Sequence, residues 1–139
     1  MAGSFGYELD LNTLSETEKQ EVAQQVAQYK EYQELIYNGS YFRLSDPYRD
    51  GMAVWAFESE DQAQMLVQGV VYRAASNTLR KRLRLRGLQP GACYKAQGEQ
   101  KVYTGSALMA GGILLPRMSG DDAAFDLYIE KVDEHTRSE

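Results

Sequence analysis

Residues 39–72 have the sequence GSYFRLSDPYRDGMAVWAFESEDQAQMLVQGVVY, and this stretch decides the fold class. It contains three apolar segments, Ser40–Leu44, Met52–Glu58 and Gln64–Tyr72. Polar clusters rich in turn-forming residues, Ser45-Asp46-Pro47 and Ser59-Glu60-Asp61, separate them. Short apolar segments at about ten-residue spacing are typical of β-sandwiches and barrels. The stretch therefore predicts three consecutive strands.

The same pattern continues toward the C-terminus. Further strands are predicted at Lys81–Leu85, Ala92–Ala96, Lys101–Tyr103 and Ala124–Val132. No connection is long enough for a crossover helix, so the pairing is predicted to be antiparallel. Between them, Ser106–Met109 is compatible with one helical turn and Ile113–Pro116 with a strand that ends at its proline. The predicted fold class is mainly β: an antiparallel β-sandwich of Greek-key type, preceded by one long N-terminal α-helix.

That helix has clear ends in the sequence. Ser15-Glu16-Thr17-Glu18 forms a capping box, in which the serine hydroxyl and the glutamate carboxylate satisfy backbone amides reciprocally. Asn38-Gly39 supplies a C-terminal stop, so the predicted helix covers residues 16–37. We expect one apolar stripe along this helix, formed by most of five residues that lie three or four positions apart: Val22, Val26, Tyr29, Gln33 and Ile36. The alternation within Gly3–Leu14 predicts an extended lead-in or short strand.

Composition excludes several classes of protein. A chain of 139 residues is about one domain long. Its net charge of −5 argues against a nucleic-acid partner, which needs a basic surface. No apolar run approaches the roughly 20 residues of a membrane span. The single cysteine, Cys93, rules out an internal disulfide and favours a reducing compartment. Because no secretion signal precedes the lead-in, we expect a soluble, cytoplasmic protein without membrane attachment.

Two charged groups are candidates for chemistry. Glu8 and Asp10 would face the same way in an extended segment and resemble a retaining-glycosidase pair, which needs carboxyl groups roughly 5–5.5 Å apart. The favoured interpretation is a polar approach to the helix, since no third group orients them. The run Arg80–Arg86 suggests an anion or nucleic-acid patch. Here we favour a half-buried strand, with leucines inward and arginines outward against acidic neighbours.

The remaining candidates are weaker. His135 is the only histidine and lies in a polar tail, so we expect no catalytic triad. Trp55 and Phe57 share one strand face and could stack on a sugar, although core packing is favoured for large aromatic rings. Asp121-Asp122 alone do not make a calcium site. We therefore predict no catalytic, substrate-binding or metal residues and no cofactor in this chain.

Several blocks of sequence, in order, resemble family 36 glycoside hydrolases, the bacterial α-galactosidases. These blocks are Gly3–Asp10, Tyr29–Ile36, Tyr41–Leu44, Ala53–Phe57, Leu83–Leu88 and Tyr103–Gly112. The resemblance covers nearly the whole chain. It implies that residues 1–38 correspond to the end of a (β/α)₈ barrel, including its last helix. Residues 39–139 then correspond to the C-terminal β-sandwich.

The resemblance also implies a role. The catalytic aspartates of the family lie on upstream barrel strands, and no position here matches either motif. We therefore expect a non-catalytic accessory domain, inactive alone, whose partners are the upstream barrel and other copies in a homo-oligomer. The parent reaction is hydrolysis of terminal α-galactosides such as melibiose and raffinose. The alternatives are a carbohydrate-binding module that uses exposed aromatics and a protein-interaction domain that uses the helix stripe. Without its barrel, that stripe should pack on the sandwich, pair with another copy or stay exposed.

Overall fold

A computed structural model describes residues 5–8, 10, 12–72, 81–116 and 123–133. Three helices and eight strands follow one another along this part of the chain. They are α1 (Glu16–Asn38), β1 (Ser40–Arg43), α2 (Pro47–Asp50), β2 (Met52–Glu58), β3 (Gln64–Val71), β4 (Arg82–Leu83), β5 (Cys93–Ala96), β6 (Val102–Thr104), α3 (Gly105–Ala110), β7 (Ile113–Leu114) and β8 (Ala123–Val132).

The capping box starts α1 as predicted. The Ser15 hydroxyl accepts a hydrogen bond from the Glu18 amide at 3.3 Å, and the Ser15 amide donates to the Glu18 carboxylate at 2.8 Å. At the other end, the Gly39 amide donates to the Leu35 carbonyl at 2.9 Å. A Cβ at Gly39 would lie 2.4 Å from that carbonyl oxygen and 2.9 Å from the Glu58 carbonyl oxygen. The chain therefore passes from helix to sheet through a gap that only glycine fits.

Six strands form the main sheet in the order β1-β2-β3-β8-β5-β6. Every pairing in it is antiparallel, which confirms the predicted sense. The longest pairings join β3 to β2 and to β8, with Trp55 opposite Gln68 and Gln68 opposite Asp126. β8 follows all the other described strands in sequence, yet it lies between β3 and β5.

Both faces of the central strands are covered. One face of β2 presents Met52, Val54 and Ala56 to the sandwich core, which continues into the layer of β4, β7 and α3. The other face presents Phe57, beside Leu66 of β3, to the helix. Antiparallel sheets commonly leave one face in water, and their strands then alternate. Here the run Met65–Val67 is continuously buried because α1 covers the second face.

The second layer of the sandwich is small. β4 and β7 pair antiparallel through Leu83 and Ile113 to form a two-stranded sheet. Lys81–Leu85 was predicted as a five-residue strand, but only Arg82–Leu83 is one. The strand is short because the Leu85 amide donates to the Leu108 carbonyl of α3 at 3.1 Å instead of to a strand. The predicted helical turn at Ser106–Met109 lies within α3. The predicted fold class is confirmed.

Three local predictions need correction. Ser45-Asp46-Pro47 is not a simple turn, because Asp46 caps the one-turn helix α2, which ends at Gly51 in the left-handed conformation (φ 68°). Gln33 does not belong to the buried stripe and is exposed. The buried face of α1 instead consists of Tyr29, Tyr32, Leu35 and Ile36. The described residues of the lead-in form no strand, and Phe5 instead packs on Tyr29 with ring centroids 5.0 Å apart.

Candidate functional site: an acidic groove beside the helix

The side chains of Glu8 and Asp10 in the lead-in are both exposed, and Asp10 forms hydrogen bonds with its neighbours in the chain. Asp10 accepts hydrogen bonds from the backbone and side-chain nitrogens of Asn12, each at 2.9 Å. Its carbonyl oxygen accepts from the Thr13 amide at 3.1 Å and hydroxyl at 2.8 Å. This turn leads the chain into the N-cap of α1. In the described part of the chain, no group from another element orients Glu8 or Asp10, so the geometry fits a polar approach to the helix.

The arginine-rich segment alternates as expected. Leu83 and Leu85 are buried, whereas Arg82, Arg84 and Arg86 are exposed. Arg82 donates to the Gly112 carbonyl at 3.2 Å. Among the described residues, no carboxylate lies within 4 Å of any of these arginines, so the expected acidic partners are not seen there. Arg80 lies outside the described residues, as do His135, Asp121 and Asp122.

The aromatic pair of β2 does not form an open platform. Phe57 is buried against α1, and Trp55 is partly buried beside it. The Trp55 indole nitrogen donates to the Gln68 side chain at 3.3 Å. This arrangement fits the favoured interpretation, core packing. Cys93 is buried as a free thiol in β5.

The best candidate for a site is a groove of about 730 Å³. It lies where the last turns of α1 cross the β2–β3 turn and β8, and we call it the acidic groove. Tyr32 and Tyr128 line it as a stacked pair with centroids 5.4 Å apart. Four carboxylates line it as well, contributed by Glu31, Glu34, Glu60 and Asp61. Asn38 and Gln64 add side-chain amides.

The electrostatics of the acidic groove are negative. No lysine or arginine lines it. Burial raises the pKa of both Tyr32 and Tyr128, and the nearby Glu31 carboxylate raises both further. Hydrogen bonds from the Ser59 hydroxyl and the Ala63 amide lower the pKa of Asp61. Glu34 accepts from the Asn38 amide at 2.7 Å. The groove can therefore accept hydrogen bonds from a hydroxyl-rich or a cationic ligand.

The acidic groove could not have been found from local sequence. Its stacked tyrosines are 96 positions apart, and only the docking of α1 on the sheet brings them together. Within the described part of the chain, no cluster of three or more histidine, cysteine, aspartate or glutamate side chains is placed to hold a metal ion. In that same part, no helix combines the length and the apolar character needed to cross a membrane.

One further acidic group is unusual. Glu58, at the end of β2, has only 3% of its surface exposed. Burial raises the pKa of its carboxyl to about 7. Strand alternation carries the signal for this burial, because Glu58 follows Met52, Val54 and Ala56 on the core face of β2.

Comparison with known proteins identifies the class. The family model described as "Glycosyl hydrolase family 36 C-terminal domain" matches residues 52–129, and the model described as "Melibiase" matches residues 1–39. The first match covers more than half of the chain. The chain therefore belongs to glycoside hydrolase family 36, as a C-terminal region of its α-galactosidases.

Individual relatives agree with this assignment. The bifunctional alpha-galactosidase/sucrose kinase AgaSK of Mediterraneibacter gnavus is 42% identical over 137 residues, which are 99% of this chain and 15% of that protein. Alpha-galactosidase AgaA of Geobacillus stearothermophilus is 42% identical over 121 residues, 87% of this chain and 16% of its own length.

Solved structures show the same relation. The galactosidase domain of AgaSK superposes with a TM-score of 0.85 at 41% identity, covering 92% of this chain and 18% of that one. The chain thus spans less than a fifth of each relative that it matches here.

Proposed function

We propose that this chain is a non-catalytic structural domain that attaches to, and covers, the catalytic barrel of an α-galactosidase. The proposal rests on a difference in burial between the two halves of α1. Its last ten residues supply Tyr29, Tyr32, Leu35 and Ile36 to the interface with the sheet. Its first half places no residue in the buried core, and Val22 and Val26 are only partly buried there. One rigid helix can therefore join the sheet to a second body.

The family matches support a second boundary, at the end of α1. The match to the Melibiase model ends at residue 39, the C-cap of α1, and the match to the C-terminal domain model begins at the first residue of β2. We assign residues 1–38 to the end of the barrel and residues 39–139 to the sandwich. An outer helix of such a barrel needs an apolar stripe to pack on the strands, and Val22 and Val26 would provide it.

The parent reaction belongs to the same proposal. AgaA of Geobacillus stearothermophilus has been solved in complex with raffinose and with stachyose as A355E variants that carry a second substitution. We infer that the complete enzyme containing this chain hydrolyses terminal α-galactosides such as melibiose and raffinose. We further propose a homo-oligomeric assembly and, because the only cysteine is a buried free thiol, a cytoplasmic location.

A graft tests the structural role directly. The matching C-terminal region of AgaA would be replaced by this chain, and turnover of a chromogenic α-galactoside compared with that of AgaA lacking the region. We expect the graft to restore activity and the 139-residue chain alone to show none. Turnover by the chain alone that disappears in Glu8→Gln or Asp10→Asn would contradict the proposal.

The second candidate function is a sugar-binding module, and the acidic groove favours it. The groove combines two tyrosine rings with carboxylate and amide groups that can fix the orientation of a polyol. Calorimetric titration with galactose and raffinose tests this candidate. Millimolar or tighter binding that Glu31→Gln weakens would support it. The matched control is Glu21→Gln, an exposed residue outside the groove on the same helix. No heat of binding, or equal loss in both variants, would dismiss it.

A further inference from the structure

The carboxyl group of Glu58 is enclosed in the sandwich without a partner. The residue is 3% exposed, and its Oε1 atom has no hydrogen-bond partner. A buried polar group without a partner is costly, and a buried charge without one costs more. The carboxyl group is therefore better accommodated as a neutral acid than as a carboxylate.

The loop at Gly87 closes over this carboxyl group. Gly87 has a φ of +90°, and a Cβ there would lie 2.2 Å from Glu58 Oε2 and 2.9 Å from Cζ of Phe42. The Gln62 side chain donates to the Gly87 carbonyl. Gln62 in turn accepts from the Tyr94 hydroxyl at 2.9 Å through its own carbonyl oxygen. The loop is thus held against the end of β2 by a polar chain that does not include Glu58.

In the described part of the chain no cation pairs with Glu58, although Lys131 on β8 donates to the Gln89 side chain of the covering loop at 2.9 Å. The titratable group that faces Glu58 from β5 is the Tyr94 hydroxyl, which also accepts from the Gln89 amide at 3.1 Å. Asp61, on the β2–β3 turn, adds negative charge near the same hydroxyl. Arg43 on β1 and Arg84 and Arg86 on the covering loop have exposed side chains. None of these cations pairs with Glu58 in the described part of the chain.

We propose that Glu58 is a proton-dependent latch: as a neutral acid it allows Gly87 to close over the end of β2, and its ionisation moves Gly87 away while Leu85 and Leu88 stay in the core. Gly87 lies so close to Oε2 that no water molecule fits between them, and Oε1 is buried without a partner, so an ionised carboxylate would gain hydration if Gly87 moved away. The latch connects the second layer of the sandwich to the end of β2.

The direction of the pH effect follows from the burial of Glu58. Burial raises its pKa from 4.5 to about 7 in the folded chain. A carboxyl group whose folded pKa is raised stabilises the fold fully below its unfolded pKa. That stabilisation is lost as the pH rises from the unfolded value through the folded one. The latch is accordingly closed at mildly acidic pH and weakened above neutrality.

Urea unfolding of the 139-residue chain at pH 5 and pH 8 tests the latch. The Glu58→Gln variant keeps the shape of the side chain and cannot ionise. Between these two pH values we expect the unfolding equilibrium constant of the native chain to rise about 10- to 100-fold relative to that of Glu58→Gln. The matched control is Glu21→Gln, the same change at an exposed position outside the acidic groove, which should keep the native pH dependence. Parallel pH dependence in the native chain and Glu58→Gln would overturn the proposal.

Two spectroscopic measurements apply even if Glu58→Gln does not fold. The ¹³C resonance of the Glu58 carboxyl in the native chain should titrate with a midpoint well above the ordinary glutamate value of 4.5. Exchange of the Gln89 amide, compared with the Gly39 amide at the same pH, should accelerate as Glu58 ionises. A Glu58 midpoint near the ordinary glutamate value, or unchanged relative protection of Gln89 across the titration, would refute the latch.

Discussion

The two halves of α1 differ in what surrounds them. The C-terminal half packs against Phe57 and Leu66 of the sheet and contributes all four buried residues of the helix. The N-terminal half has a full capping box and acidic residues where the helix dipole favours them, but no buried residue. The C-terminal half is therefore stabilised mainly by tertiary packing, and the N-terminal half mainly by local hydrogen bonds. Isolated helical segments of such length are marginal in water.

The largest effect is expected where the helix is packed. Leu35→Ala removes a 7%-exposed side chain from the interface with the sheet. We expect a loss of about 2–4 kcal/mol in the free energy of unfolding, because the vacated space is filled only partly. Urea unfolding followed by circular dichroism measures it. A loss below 1 kcal/mol would show that the two halves are stabilised alike.

An intermediate effect is expected at the capping box. Ser15→Ala removes the hydroxyl that accepts from Glu18, at a cost of about 1 kcal/mol to the local helix. Because the N-terminal half has few tertiary contacts, we expect this cost as fraying of the first turns. Hydrogen exchange should accelerate at residues 19–26 and stay unchanged at residues 32–38. Equal acceleration in both halves would mean that α1 unfolds as one unit.

The smallest effect in this chain is expected at Val22 and Val26. Alanine at either position should change the free energy of unfolding by no more than about 0.5 kcal/mol, since both side chains are only partly buried. In the AgaA graft the same substitutions should reduce thermal stability measurably, because the barrel would cover both valines. Thermal inactivation of the two grafts measures this. Unchanged thermal stability of the substituted grafts would show that these valines do not lie in the proposed interface.

The sequence predicted the parts of the fold that local patterns control. The capping box and the Asn38-Gly39 stop predicted the ends of α1 to within one residue. The apolar segment between two turn clusters predicted β2 with the ends that the structure shows. Other features depend on distant partners. Strand β4 is short because the Leu85 amide bonds to α3, and Gln33 is exposed because the sheet selects a different face of the helix.

The candidate site was less predictable than the fold. The acidic groove joins Glu31 and Tyr32 to Asp61 and Tyr128, which no local pattern connects. Trp55 was a candidate for sugar stacking, although core packing was the favoured interpretation, and it is partly buried beside the α1 interface with its indole bonded to Gln68. Strand alternation assigns Glu58 to the core face of β2, but no local pattern reveals that the loop at Gly87 closes over its carboxyl group.

The position of β8 has a consequence for folding. Its ten residues hydrogen-bond to β3 on one side and β5 on the other, so it joins two groups of strands that share no other pairing in the main sheet. Because β8 follows β1–β3 and β5–β6 in the chain, the six-stranded sheet can be completed only after β8 has been synthesised. The complete main sheet should therefore form late in folding. Removal of β8 should separate β1–β3 from β5–β6, whereas removal of an edge strand would leave the sheet in one piece.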